Sequence, residues 1–392
     1  KNRMKNRKCF LKGALCGALA MLLVAGLVSC GLRIGSGDIT AKTSEKLSEL
    51  QNLIDKHYMG DVKEKDLEDG IYKGYISGLN DPYSVYYNKK ETKALYESTG
   101  GEYDGVGAVM SQSYDTGVIT ITQVYKDSPA EKAGLKDNDI LYKVNGKEVT
   151  GKDLSKVVSK IKGKKGTTVK LTVLRGENAD EVTVTATRDT VQAQTIEYKM
   201  LDDQIGYIDV SEFDTVTYNQ YKSALEDLEN QGMTGLVVDL RNNPGGSLKT
   251  VCDMLDLMLP EGLIVYTEDK DGKKTEMKSD DEHQFTKPMA VLVNGNSASA
   301  SEIYAGAIQD YGIGKIVGTQ TYGKGVVQQI FDLDDGTAVK LTIAKYFTPK
   351  GRSINGKGIT PDTKIEYEQD ENNPDTDNQL DKSVEEVKAQ IK

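Results

Sequence analysis

The chain has no tryptophan, two histidines, four cysteines and eight prolines in 392 residues. Each scarcity excludes something. His57 and His283 stand in no carboxylate pattern of the kind a Ser-His-Asp triad uses, so histidine-based acid–base catalysis finds no support. No histidine or cysteine cluster has metal-ligand spacing, and no glycine-rich phosphate loop occurs; the expectation is neither metal nor cofactor. Cys9, Cys16 and Cys30 fall in the first 30 residues, which leaves Cys252 single and rules out a disulfide framework. Positive charge is short as well. The net charge is −10, although the first 29 residues carry six basic groups and no acidic one, so the remainder is more acidic than the whole. Such a surface disfavours nucleic acid as a partner.

One long uncharged, mostly apolar run is present, at residues 13–32, behind the basic residues Lys1, Arg3, Lys5, Arg7, Lys8 and Lys12. This reads as an export signal covering residues 1–30. Two fates stay open. The run is long enough to span a bilayer, which takes about 20 residues. Leu27-Val28-Ser29-Cys30-Gly31 also looks like a lipoprotein cleavage box, in which Cys30 would be lipidated. Either fate predicts a membrane-tethered protein with its remaining chain outside the cytoplasm.

Residues 289–328 hold the strongest chemical signal. Residues 289–293 are all apolar, which suits a buried strand, and Asn294, Gly295 and Asn296 form turns. Ala300, Ile303, Tyr304, Ala307, Ile308 and Tyr311 then recur at helical spacing, so Ser299 sits where a helix begins. Unpaired N–H groups and the positive end of a helix dipole adjoin a serine in that place, and can hold a tetrahedral oxyanion. Serine needs a base. Lys324, between Gly323 and Gly325, suits the role if burial keeps it neutral. Read alone, a helix-start serine is more often an N-cap, and Gly-Lys-Gly is more often a solvated turn.

The rest of the chain divides by pattern. Residues 38–98 show helical spacing, as in Leu47, Leu50, Ile54 and Tyr58, and again in Leu67, Ile71, Tyr75 and Leu79. Residues 100–188 show short alternating strands at 118–124, 140–144, 168–174 and 182–186, with an amphipathic helix at 154–161. Residues 189–365 return to longer elements: strands at 205–210 and 235–240, a helix carrying Leu248, Val251, Leu255 and Met258, and paired strands at 326–331 and 338–347. The acidic end, 366–392, has the spacing of one short helix, which could pack on a second subunit.

The stretches Asn-Gly-Asn-Ser-Ala-Ser-Ala-Ser-Glu-Ile and Thr-Tyr-Gly-Lys-Gly-Val-Val-Gln resemble the two catalytic motifs of the carboxy-terminal processing peptidases, serine proteases with an inserted PDZ domain. The resemblance extends over about residues 40–392. It implies a multidomain α/β fold: an N-terminal helical region, a sandwich-like PDZ domain with helices, and an α/β core of the crotonase/ClpP type. It implies Ser299 as nucleophile, Lys324 as general base and Gln328 as the residue orienting the lysine. Arg241-Asn242-Asn243-Pro244-Gly245-Gly246 resembles the family's loop, so Gly245 or Gly246, with Ala300, would form the oxyanion hole. Asp239 and Arg241 would brace that loop. Asp310, three helical turns beyond Ser299, has a supporting role. Ser297 and Ser301 read as turn and capping residues.

Gly105-Val106-Gly107-Ala108, followed by Ser128-Pro129-Ala130 and Asp139-Ile140-Leu141, resembles a PDZ domain, whose glycine loop holds a peptide's terminal carboxylate on backbone N–H groups. The expected function is therefore a serine endopeptidase acting on proteins with free C-termini, the PDZ module either delivering the tail or gating the site. The rivals are a PDZ-bearing adaptor with an inactive peptidase domain, and an esterase or acyl-transfer enzyme using the same dyad. Whether the helical region dimerises or cradles substrate stays open, as does the need for an activating protease or adaptor.

Overall fold

The structure is a computed structural model that describes residues 41–280, 282–369, 373 and 376–391. The expected export signal and Cys30 lie outside the described residues. No helix among the described residues is long and apolar enough to cross a membrane. The chain divides into two units, at residue 67. In the first, the helix Ala41–His57 buries none of its residues, and Leu50 and Leu53 are exposed.

The second unit is built on a six-stranded sheet in the order Ile196–Met200, Ile205–Val210, Gly235–Asp239, Met289–Val293, Lys315–Gly318, Thr363–Lys364. The first pairing is antiparallel and the other four are parallel. Each strand is added on the same side in chain order, so long crossovers are required, and helices such as Thr217–Asn230 and Ala300–Tyr311 occupy them. Gly235–Asp239 and Met289–Val293 are buried at every position because both faces of the sheet are covered. One face packs under the helices through Tyr221, Leu228, Met254 and Tyr304.

The other face is covered by the C-terminal helix Asn378–Gln390. Val387, with Leu380 and Val384, packs on Ile205, Val237, Ala290, Leu292 and Val317. The expectation that this helix meets a second subunit is thereby corrected: its apolar stripe is already taken up within its own chain.

A second sheet pairs Ala338–Phe347 with Val326–Asp332 on one side, and with Val85–Tyr87 and Gly262–Asp269 on the other. The strand Val85–Tyr87 departs from the all-helical expectation for residues 38–98. Helix Glu64–Ser77 ends before it and helix Lys89–Gly100 follows it. Val-Tyr-Tyr is β-branched and aromatic, and it follows a turn in which Ser84 Oγ donates to Asp81 at 2.5 Å and accepts the Thr342 N–H at 3.1 Å.

Residues 108–187 form a third sheet, ordered Ala108–Gln112, Ile119–Val124, Ile140–Val144, Thr168–Arg175, Asp180–Thr187, with Lys147–Glu148 pairing beside Ile140–Val144; Glu102–Gly105 and Asp189–Gln192 pair as a separate two-stranded ribbon. The third sheet closes over its own core of Ile119, Ile121, Leu141, Val157, Leu171 and Val173. The helix Leu154–Ile161 and the strand Ile140–Val144 have the bounds expected from sequence.

Candidate active site

The site grows from the end of Met289–Val293. Beyond it, Ser297 Oγ accepts the Asn294 N–H at 2.9 Å and donates to the Leu240 carbonyl at 2.7 Å. Ser301 Oγ donates to the Asn243 carbonyl at 3.0 Å. Ser297 is thus the turn residue expected, whereas Ser301 pins a neighbouring loop rather than capping a helix. Ser299 immediately precedes the helix Ala300–Tyr311 at φ 56° and ψ −113°, a conformation that L-residues adopt at a cost of order 1–3 kcal/mol.

That conformation is held by a buried carboxylate. Glu302 Oε2 accepts the N–H groups of Ser299 at 2.9 Å and Lys324 at 2.8 Å, while Oε1 accepts the Gly323 N–H at 2.7 Å and the Thr321 hydroxyl at 2.6 Å. Four donors on two oxygens is the pattern that an acceptor-only carboxylate satisfies. On the other side, the Tyr346 hydroxyl lies 3.0 Å from the Ser299 carbonyl and 2.5 Å from the Lys324 carbonyl. Both backbones are therefore tied to the same two side chains.

Ser299 and Lys324 line one cleft of about 440 Å³, with Gly245, Gly246, Ala300, Gln328, Lys340 and Tyr346. Among the described residues no carboxylate comes within ion-pair distance of Lys324; its Nζ lies 4.9 Å from the centre of the Tyr83 ring. Burial lowers the pKa of this amine, the Lys340 charge lowers it further, and Glu302 opposes both. Gln328 lines the same wall, but its amide nitrogen reaches Thr342 Oγ1 at 3.3 Å and the Val326 carbonyl at 3.5 Å, and no hydrogen bond joins it to Lys324.

The glycine loop approaches closely. A Cβ on Gly245 would fall 2.7 Å from the Ala298 carbonyl oxygen and 2.8 Å from Ser299 Cβ; one on Gly246 would fall 2.4 Å from the Phe213 carbonyl oxygen. Neither position tolerates a side chain. The Gly245 N–H donates to Asn243 Oδ1 at 2.8 Å, so it is already used. The N–H groups of Gly246 and Ala300 have no partner among the described residues. Of the two glycines expected from sequence, Gly246 is the one left with a donor to offer.

Asp239 and Arg241 brace more than the loop. Arg241 pairs with Asp239 at 2.6 Å and with Asp377, the N-cap of the C-terminal helix, at 2.7 Å. Asp310 lies outside the cleft, bound to Arg352 at 2.5 Å and accepting the Lys350 N–H at 2.8 Å. It supports the segment that closes the core. Gly105 ends the strand that pairs with Asp189–Gln192, Val106 is buried, Gly107 turns at φ 80° and Ala108 opens the edge strand of the next sheet, whose outer side is unpaired. The N–H groups of Val106 and Gly107 have no partner among the described residues.

Glu302, Thr321 and Tyr346 escaped sequence reading. Ser-x-x-Glu is a capping-box pattern, which explains the acid without invoking Lys324. The available signal was a glutamate followed by Ile303 and Tyr304 at the start of a mostly apolar helix.

Comparisons with known proteins agree with this architecture. Residues 204–365 match the model of peptidase family S41, residues 120–175 that of a PDZ domain, and residues 34–92 that of the activating protease CtpB N-terminal domain. The carboxy-terminal processing protease CtpA of Bacillus subtilis is 39% identical over 323 residues, spanning 82% of this chain and 69% of that protein. A probable CtpA-like serine protease of Staphylococcus saprophyticus is 37% identical over 358 residues, spanning 89% of this chain and 72% of that protein. A putative S41 protease from Bacteroides fragilis shares the fold at a TM-score of 0.50 and 18% identity, over 75% of this chain and 82% of that one. The chain belongs to the carboxy-terminal processing proteases of peptidase family S41.

Proposed function

We propose that the protein is a membrane-tethered, extracytoplasmic serine endopeptidase that engages polypeptides by their C-terminal tails, with Ser299 as nucleophile and Lys324 as general base. The observation that carries the reading is a half-buried lysine with a lowered pKa and no carboxylate partner among the described residues, in the same cleft as a serine at a helix start. A neutral amine takes the hydroxyl proton as Ser299 attacks the peptide carbonyl. The tetrahedral oxyanion rests on the N–H groups of Gly246 and Ala300. Protonated Lys324 then delivers its proton to the leaving amine, and water releases the acyl-enzyme by the same route in reverse. Gln328 takes up its orienting role once its amide leaves Thr342.

The unpaired edge of Ala108–Gln112 and the open N–H groups of Val106 and Gly107 support capture of an extended tail and its carboxylate by strand addition. The basic and apolar leader supports export and tethering, through either a spanning helix or a lipid on Cys30.

The test is cleavage of an unstructured protein with an apolar C-terminal tail by the full chain, beside Ser299→Ala and Lys324→Ala. Loss of cleavage in both variants, with tail binding retained, is the expected result. Tail binding without cleavage by the unaltered chain would overturn the proposal.

A further inference from the structure

We propose that Glu212 and Asp214 form an acidic subsite in the cleft, which takes a lysine or arginine side chain of the polypeptide close to the bond being cut. The inference rests on the reading of this cleft as the site of peptide hydrolysis.

The two acids sit on a rigid frame. The Phe213 N–H donates to the Gly245 carbonyl at 3.0 Å, and the Ser247 N–H donates to the Phe213 carbonyl at 2.7 Å, so the segment runs beside the glycine loop. Thr217 Oγ1 accepts the Asp214 N–H at 2.9 Å and donates to the Glu212 carbonyl at 3.0 Å. Phe213 is fully buried in the core, with its ring centre 6.5 Å from that of Tyr304. Glu212 and Asp214 alternate with it, and both line the cleft that holds Ser299 and Lys324.

What distinguishes Asp214 is the lack of a partner. Five acidic residues are buried among the described residues. Asp139 is paired with Arg175 at 2.7 Å, Asp239 with Arg241 at 2.6 Å and Asp310 with Arg352 at 2.5 Å, and Glu302 has its four donors. Asp214 is the fifth, at 5% exposure, and no hydrogen bond or ion pair from the described residues reaches its carboxylate or that of Glu212, which is exposed at the cleft wall. The Asp214 oxygens keep a little solvent contact, on the cleft side, and a carboxylate so poorly solvated gains from any donor that reaches it. Burial, with the Glu212 charge beside it, pushes Asp214 up to about 7, and burial raises Glu212 as well.

The frame leaves these groups facing the space a substrate fills. An ammonium or guanidinium supplies both the missing donors and the missing charge, whereas an apolar or anionic side chain supplies neither. Lys340 lines the same cleft, so its wall carries both signs of charge.

The test uses the full chain in alkaline buffer and a peptide set built on one cleaved sequence. Lysine or glutamine is placed in turn at each position flanking the cut. At one position the lysine peptide should be favoured by at least about tenfold in kcat/KM, or 1.4 kcal/mol. Asp214→Asn and Glu212→Gln should each bring that ratio toward one. A ratio near one at every position, or a preference unchanged in both variants, overturns the subsite. Should Asp214→Asn fail to fold, Glu212→Gln decides the matter by the same ratio. Cleavage of the glutamine peptides, abolished by Ser299→Ala, reports separately on the hydrolytic reading; if no peptide is cut, that reading and the subsite fall together.

Discussion

One oxygen of Glu302 accepts the backbone N–H groups of both Ser299 and Lys324, at 2.9 and 2.8 Å. The two residues are 25 positions apart in sequence, yet neither backbone can shift without lengthening a bond to the same buried atom. Glu302→Gln places an amide where four donors converge, and one of its two terminal atoms then opposes donor with donor. The expected result is a loss of about 10²-fold in kcat with KM changed far less, since misplacement of an attacking group by about 1 Å costs that much. A positioning role has a second signature. The Glu302 charge raises the pKa of Lys324, so its removal should move the alkaline rise of the kcat–pH profile to lower pH. A rise left in place would show that the variant acts on folding alone.

Lys340 acts on the same amine with the opposite sign. Its charge favours the neutral form of Lys324. In Lys340→Gln the pKa of Lys324 should therefore rise, and less neutral base is present at any pH below it. Activity at neutral pH should fall severalfold and recover as the pH is raised, which a pH series on the variant beside the unaltered chain will measure. An equal deficit at every pH would point to lost packing.

The Tyr346 hydroxyl gives a third handle on the same frame. Tyr346→Phe removes the donor shared by the Ser299 and Lys324 carbonyls but keeps the buried ring. A stability loss of about 1 kcal/mol is expected from the hydrogen bonds, measured by denaturant unfolding. The loss in kcat should exceed what that figure implies, because the strained φ of Ser299 then has one restraint fewer.

These contacts mark how far the sequence could be read. The strand Met289–Val293 and the helix start at Ser299 were legible because apolar runs and helical spacing are local signals. That Lys324 shares a cleft with Ser299 was legible from its glycine neighbours and the family motif. The role of Glu302 was not, since its partners at positions 321, 323 and 324 reach it through an irregular loop that no periodicity describes. Nor could sequence choose between Gly245 and Gly246. The choice depends on the side chain of Asn243, which occupies one of the two N–H groups. Val85–Tyr87 was lost to the helical pattern on either side because a three-residue strand owes its existence to the partner Ala338–Phe347.

Asp209 predicts a pH dependence of stability. Burial, with the charges of Asp239 and Glu197, raises it to about 6 against the opposing pull of Arg241. Its folded pKa thus lies above the ~3.9 of an unfolded chain. The folded state holds the extra proton between those values, so this group's contribution to stability declines as pH rises through about 6. Asp209→Asn should be more stable than the unaltered chain above that pH, by on the order of 1 kcal/mol, with the difference vanishing near pH ~4. Urea midpoints at the two ends of the window test the sign.

The C-terminal helix gives the last prediction. Arg241 holds Asp239 on the central sheet and Asp377 at the N-cap of Asn378–Gln390, and its Nη1 also meets Gln379 Oε1 at 3.1 Å. In Arg241→Met the carboxylate of Asp239, 3% exposed, keeps the Tyr207 hydroxyl but loses its counter-charge. Breaking a buried pair from one side costs about 3–5 kcal/mol. Asp377→Asn removes the partly exposed arm alone and should cost less, about 1–2 kcal/mol, because Arg241 still pairs with Asp239. Hydrogen exchange separates the two losses by location. Asp377→Asn should loosen amides within Asn378–Gln390 and leave Gly235–Asp239 protected, whereas Arg241→Met should lower protection in both. Equal losses confined to the helix in both variants would mean that the pair with Asp239 contributes nothing to the sheet.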